Sequence, residues 1–522
     1  MRRRTVLTGA VSTAALARPA LGQSAARTIR LVPYVNLTQL DPVWTVTGAS
    51  MACGYLVYDM LYGIDEHFMP HPQMCAGHET SSDGLTWTFT LRDGLLFHDG
   101  EKVRAIDCTT SIARWTVKDP FGQALAAVTQ EMRALDDKRF EIRLKKPFPQ
   151  MLFAFASRPC FMMPERQAKT PASEQVKDFV GSGPFRFLPG EWVSGASAAW
   201  AKFDRYVPRQ EPPSTLAGGK VAYVDRVEWV VQPDPATAVA ALRKGEVDWI
   251  EWPLTDLLPQ LKGSPGVVVK ALNWPHFCVL ALNHLHPPFD NPAFRRALLP
   301  AIDQKAFVQS IVGDQMELTR IPCGYFTEGT PMANKAGLDA LTGPRDLALA
   351  RRLVAESGYK GEPVLVMSPT DSPPFAELAH VVLSTLQSIG VNVDFREMDF
   401  GSLMTRRVNQ AAPAAGGWNA VAQIWTVLNS SNPGNALALR ANGKGAAFGW
   451  PTDPELETLR QQWFDAPDLG AQLAAAERIQ RRAFEFVPGI PLGQVTMPTA
   501  YRENIAGIVR TPYPAFWGLK KG

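Results

Sequence analysis

Along residues 85–92 the apolar side chains Leu85, Trp87, Phe89 and Leu91 alternate with Thr86, Thr88, Thr90 and Arg92. A period of two sets the apolar group on one face of a strand. Asp93-Gly94 and Asp99-Gly100 then turn the chain on either side of Leu95 and Phe97, so a half-buried hairpin is expected. Phe140, Ile142 and Leu144 alternate with Glu141, Arg143 and Lys145 and stop at Pro147, which predicts a further strand.

Later the rhythm lengthens. From Pro344 the apolar residues Leu347, Ala350, Leu353 and Val354 share one helical face until Gly358. Val364 to Met367 reads as a strand, Phe375 to Ile389 as a helix ended by Gly390, and Val391 to Phe395 as a strand. Pro235 to Lys244, closed by Gly245, with Val247 to Ile250 behind it, repeats the helix–strand unit. Helices alternating with short apolar strands predict an α/β fold with parallel sheet. No internal repeat or long charged linker separates these regions, so the domains are expected to be discontinuous, entered and left by the chain more than once.

At 522 residues the chain has room for about three compact units at roughly 150 residues each. The balance of 53 Lys and Arg against 50 acidic residues lacks the basic excess that phosphate neutralisation needs, which argues against nucleic acid as a partner. Arg2 to Arg4, the apolar run Val6 to Ala17 and the small residues Ala20 and Gly22 form a signal-peptide pattern over residues 1–22. Arg3-Arg4-Thr5-Val6-Leu7 resembles a twin-arginine export signal, with Val6 where that motif prefers Phe; an ordinary Sec signal is the alternative. Removing residues 1–22 takes away four Arg and no acid, turning the formal net charge of +3 into −1. Gln23 stands where lipidation would need Cys, so a soluble, exported, periplasmic monomer is expected. The six cysteines show no Cys-x-x-Cys spacing, and no specific bridge is predicted.

Five segments in order then carry a resemblance: Ser82-Asp83-Gly84-Leu85-Thr86-Trp87-Thr88-Phe89, running on through Phe97-His98-Asp99-Gly100; Gly181-Ser182-Gly183-Pro184-Phe185; Ala241 to Asp248; Asn283 with Pro288 to Asn291 and Arg295 to Leu298; and Ala355-Glu356-Ser357-Gly358-Tyr359. This order resembles the family 5 extracellular solute-binding proteins, the periplasmic dipeptide-, oligopeptide- and nickel-binding components of ABC importers. The resemblance implies a two-lobed clamshell of the periplasmic-binding-protein type with an additional mixed α+β lobe. Residues 27–65, 180–275 and 491–522 would form lobe I, 66–179 the extra lobe II and 276–490 lobe III. Hinge strands are expected near Leu272 to Leu282 and Ile490 to Val495. Pro300, where the family keeps a helix former, predicts a local break.

The resemblance further implies that a small peptide or peptide-like solute is caught between lobes I and III and handed to a membrane permease, without catalysis or cofactor. A non-peptide organic solute or a metal chelate is the alternative ligand, and a secreted hydrolase the alternative class. No Gly-x-Ser-x-Gly elbow, phosphate loop or zinc-protease motif is present. His67, His71, Cys75 and His78 have metal-like spacing, but Pro70 and Pro72 forbid the helix that would converge them. Cys278, His284 and His286 are expected to be structural or exposed. By position relative to the family motifs, Phe121, Phe400 and Trp425 are expected to line the cleft, Asn36 and Thr38 to supply polar contacts, and His276 and Gln494, near the hinge crossings, to bind the ligand as well. Peptide-binding members run Trp-x-x-Asp after the cleft Trp, the Asp pairing with the ligand's amino terminus. This chain has Trp425-Thr426-Val427-Leu428, so Leu428 replaces that anion.

Overall fold

The computed structural model describes residues 27–45, 47–157 and 159–522; the expected export signal lies outside them. Three sheets organise the chain. In lobe I a seven-stranded sheet runs in the order Val267–Lys270, Thr499–Arg502, Trp249–Ile250, Thr28–Val32, Arg226–Val230, Ser197–Lys202, Phe185–Phe187. Thr28–Val32 is parallel to both of its neighbours. The helix Pro235–Lys244 covers this sheet, capped by the Asp234 carboxylate on Thr237 N and stopped by Gly245 at φ 75°.

Lobe II is built on a four-stranded antiparallel sheet in the order Cys75–Thr80, Thr86–Leu91, Arg139–Leu144, Thr129–Ala134. The expected hairpin is corrected here. Thr86–Leu91 pairs with the strands before it and with Arg139–Leu144, not with the segment after Asp93-Gly94. Gly94 and Gly100, at φ 80° and 97°, instead fold that segment into a loop whose Leu95 and Phe97 are buried and whose His98 bonds the Gly181 and Gly183 backbone.

Lobe III carries a six-stranded sheet in the order Thr319–Arg320, Gly489–Val495, His276–Leu282, Ala420–Trp425, Val364–Pro369, Val393–Met398. The last three strands are parallel; His276–Leu282 runs antiparallel to both of its long neighbours. Helices Gln304–Val312 and Pro373–Ser388 bury one face through Cys278, Leu280, Ala420, Ala422, Ile424, Val364 and Val366. Helix Leu347–Glu356 starts three residues after Pro344 because Asp346 caps it on Leu349 N. At Pro300 the helix Pro292–Ala297 gives way to a single 3-10 turn, Leu299–Ala301, as the missing N–H requires.

The two crossings between lobes I and III are short. The chain leaves the first sheet at Lys270 and enters the third at His276, and it returns between Val495 and Thr499, so residues 271–275 and 496–498 are the connectors. Gly489–Val495 pairs along its whole length with His276–Leu282. Sheet pairing therefore sets the return to lobe I after Val495, later than the boundary expected at residue 491. The strands expected near the hinge belong to the lobe III sheet, with the two connectors beside them.

A buried ion pair fastens lobe II to lobe I. Arg114 Nη1 and Nη2 donate to the Asp41 carboxylate at 3.2 and 2.7 Å, and both side chains are almost wholly inaccessible. All six cysteines are buried and unpaired. Pro70–Pro72 forms a short strand against Tyr62–Ile64. Among the described residues no group of three or more His, Cys, Asp or Glu is placed to hold a metal ion, and no helix is long and apolar enough to cross a membrane.

Candidate ligand cleft between lobes I and III

Alternation along Ala420–Trp425 decides what faces the rest of the molecule. Ala420, Ala422 and Ile424 point into the helix-covered core, so Val421, Gln423 and Trp425 emerge on the opposite face. There Trp425 stands in a cross-strand row with Phe277 and Gln494, its ring 6.3 Å from that of Phe277. One residue on, Thr426 Oγ1 lies 3.4 Å from the Tyr513 hydroxyl of the C-terminal segment. Trp425 thus stands where lobe III meets lobe I.

Beside it the Trp425 indole N–H donates to Gln423 Oε1 at 2.7 Å, and Arg407 Nη1 donates to the same oxygen at 3.0 Å. Arg407 comes from the helix Phe400–Arg407, which the Asp399 carboxylate caps on Ser402 N. Its guanidinium lies 4.4 Å from the Phe448 ring centre. Burial lowers the Arg407 pKa to about 10, which leaves it charged at neutral pH.

On the lobe I side, Tyr34 stacks on Trp252 at 3.8 Å, and Trp252 meets His276 edge-on at 4.8 Å. Glu251 accepts the Tyr34 N–H at 3.0 Å. Burial pushes the Glu251 carboxyl up to about 8, against the smaller lowering effect of that hydrogen bond. Burial likewise brings the His276 imidazole down to about 4, against the smaller raising effect of a hydrogen bond with the Val495 backbone; among the described residues its Nδ1 has no close hydrogen-bond partner.

The residues singled out from the sequence do not form one constellation. Trp425 and Gln494 share the cross-strand row, although both ends of the Gln494 amide are already used: Oε1 accepts from Glu328 N and Nε2 donates to Phe326 O. His276 points to the other face of its strand, toward Trp252. Leu428 is 2% exposed and belongs to the same large core as Val427 and Phe277. Phe121 is fully buried between lobes II and III, edge-on to Phe148, Trp463 and Phe464. Phe400 packs edge-on to Phe375 at 5.1 Å, on the helix-covered side of lobe III. Asn36 accepts from Gly195 N at 3.1 Å in a lobe I turn, and Thr38 is exposed. Among the described residues no hydrogen bond or ring contact ties Asn36, Thr38, Phe121 or Phe400 to the Trp425 row.

Sequence reading missed Arg407, Gln423, Tyr34, Glu251 and Trp252. For Gln423 a signal existed: it is the one polar residue in the otherwise apolar run Ala420–Trp425, two positions from Trp425 and hence on its face. Glu251 and Arg407 carried no such mark.

Residues 69–446 match the model of the bacterial extracellular solute-binding proteins, family 5. The chain belongs to that family. A relative from Sinorhizobium fredii, named a probable peptide ABC transporter periplasmic-binding protein, is 35% identical over 98% of this chain and 97% of its own length. Among solved structures, the dipeptide binding protein from Pseudoalteromonas sp. in complex with Met-Leu superposes with a TM-score of 0.79 at 19% identity, covering 95% of this chain and all of that one. The PBP AgaA from A. tumefaciens R10 in complex with agropinic acid gives 0.78 at 20% identity, over 95% of this chain and 99% of that one. These likenesses extend the family's two-lobed fold over the described residues of all three lobes.

Proposed function

We propose that this family 5 protein is the soluble solute-capturing component of an ABC importer, working in the periplasm as a monomer, and that its solute is a small peptide or peptide-like molecule. The weightiest support is the 35% identity, end to end, with the Sinorhizobium fredii relative named for peptide transport. The solute touches both lobe I and lobe III and stabilises the closed arrangement by its differential affinity for it, and the closed form docks on a membrane permease. The short connectors 271–275 and 496–498 are where the rotation is absorbed.

One feature narrows the solute. Leu428 occupies the position at which peptide-binding relatives place an Asp, and it is buried among apolar neighbours. Two other carboxylates of lobe III are engaged by the backbone around Phe400: Asp371 accepts from Phe400 N at 2.7 Å, and Asp399 caps its helix. Glu251, held near pKa 8 by burial, is largely protonated at neutral pH and offers no ready anion. A buried ammonium without a counter-charge is strongly disfavoured. N-blocked, cyclic or non-peptide solutes therefore bind better than ordinary peptides with free amino termini.

Isothermal calorimetry with matched free and N-acetylated dipeptides tests this reading, together with small-angle scattering for lobe closure. The N-acetylated form is expected to bind more tightly and to compact the protein. Preference for the free amine, or tight binding with no change in lobe separation, refutes it. Leu428→Asp should destabilise the fold, since the side chain is buried among apolar neighbours.

A further inference from the structure

Gln423 is 98% buried, with a relative exposure of only 2%. The orientation of its amide is dictated by its neighbours, because an indole N–H and a guanidinium can only donate, and both point at the same atom. That atom must be the carbonyl oxygen. The Nε2 amino group is thereby turned away, and it has no hydrogen-bond partner among the described residues. Arg407 repeats the pattern: Nη1 is used by Gln423, while Nε is buried without a partner and no carboxylate pairs with the guanidinium among the described residues. Two unfilled donor groups and one uncompensated positive charge thus stand side by side next to Trp425.

Other buried arginines show what a finished environment looks like. Arg114 has the Asp41 carboxylate. Arg295 has no acid, yet its Nε, Nη1 and Nη2 donate to the carbonyls of Phe486, Val487, Phe289 and Asp290 at the end of a helix. Arg407 has neither arrangement. Among the described residues its guanidinium donates only to the shared Gln423 oxygen and lies against an aromatic face.

We propose that Arg407 and Gln423 form a carboxylate-holding station on the cleft face of lobe III, so that the captured solute carries a free carboxylate that docks beside Trp425. A carboxylate is acceptor-only and planar, so its two oxygens take up the guanidinium and amide donors that the chain leaves unfilled. The Phe448 ring, 37% exposed, lies against the guanidinium with its centre 4.4 Å away. The station deepens the proposed capture of a peptide-like solute and rests on it: the amino end finds no anion at Leu428, while the carboxyl end is recognised by charge.

The test uses the mature protein and four probes, the dipeptide Met-Leu with its amino end free or acetylated and its carboxyl end free or amidated, in thermal shift and calorimetry. The amino-end comparison judges the proposed solute class; the carboxyl-end comparison judges the station. The free acids are expected to bind about tenfold or more tightly than the amides, as for a charge-assisted hydrogen-bond pair. Arg407→Gln should abolish that preference. Arg407→Lys, which keeps the charge but not the planar fork, should retain part of it, and carries the test if Arg407→Gln fails to fold. Equal binding of acid and amide by the wild type, or an undiminished preference in Arg407→Gln, overturns the station. If none of the four binds, the peptide reading fails. The station is then judged by citrate and succinate, and stabilisation of the wild type that is no greater than that of Arg407→Gln overturns it too.

Discussion

The junction of lobes I and II and the seam of lobes I and III treat charge in opposite ways. At the first, Arg114 and Asp41 are buried together and saturated: beyond each other, the guanidinium also donates to Thr170 O and Glu174 O, and the carboxylate accepts from Val43 N and Val176 N. At the second, among the described residues, Glu251 on lobe I is buried without a cation and pushed up to about 8, and Arg407 on lobe III has no anion. A charge that the chain itself completes costs little once folded but a great deal if its partner is removed. A charge left incomplete contributes nothing to that junction and is available to a third component. The contrast separates a junction whose charges the chain completes itself from a face of lobe III where, on the reading proposed above, a solute completes them.

The sharpest way to break this contrast is to remove Asp41. Asp41→Ala leaves Arg114 buried with no counter-charge, and about 3–5 kcal/mol of stability should be lost in urea unfolding. Arg407→Gln, measured beside it, should change stability by no more than about 1 kcal/mol. Similar losses in the two variants would erase the distinction between a structural and a ligand-facing arginine.

A second, smaller effect follows from Glu251. Its folded pKa of about 8 lies above the ordinary glutamate value of 4.5, so the folded state keeps a proton that the unfolded chain releases. Stability should be fully present below about pH 4.5, decline as pH rises, and level off above about pH 8, by an amount on the order of a few kcal/mol. Glu251→Gln, never charged, should lack this decline. His276, whose imidazole is held down to about 4, acts in both proteins, removing stability as pH falls from 6.5, so the difference between the two curves isolates Glu251. Superimposable melting temperatures across pH 5 to 9 would show that its carboxyl is not desolvated.

The smallest effect concerns lobes II and III. Lys146 Nζ and the Asp465 carboxylate are 2.7 Å apart but both well exposed. Asp465→Ala should cost less than about 1 kcal/mol, and less still in high salt. A larger loss would mean that lobe III is held to lobe II by charge rather than by the Phe121, Phe148, Trp463 and Phe464 cluster.

Much of this architecture is legible along the chain because it rests on short-range rules. The helix over Pro235–Lys244 announces itself through a capping Asp, a proline at its first position and a glycine after its end. The parallel units of lobe III follow from apolar strands alternating with amphipathic helices, and the break at Pro300 from a missing donor. Family motifs in order pointed to the fold. The hairpin after Asp93-Gly94 was misjudged for a related reason: local turn chemistry shows where a strand ends, not which strand it pairs with. Arg139–Leu144, some fifty residues away, took that place.

What only the tertiary structure decided is which side chains meet and how dry their meeting place is. Phe121 is an aromatic beside a proline in the sequence, and becomes an interlobe core residue because Trp463 and Phe464 arrive from the far end of the chain. Glu251 and Arg407 are two charged residues among many until burial shifts both pKa values toward neutrality. Desolvation and hydrogen-bond complementarity depend on all the surrounding atoms at once, and those atoms come from segments hundreds of residues apart. Periodicity and capping are therefore written into the sequence, whereas an unfilled donor beside Trp425 exists only once the lobes have folded around it.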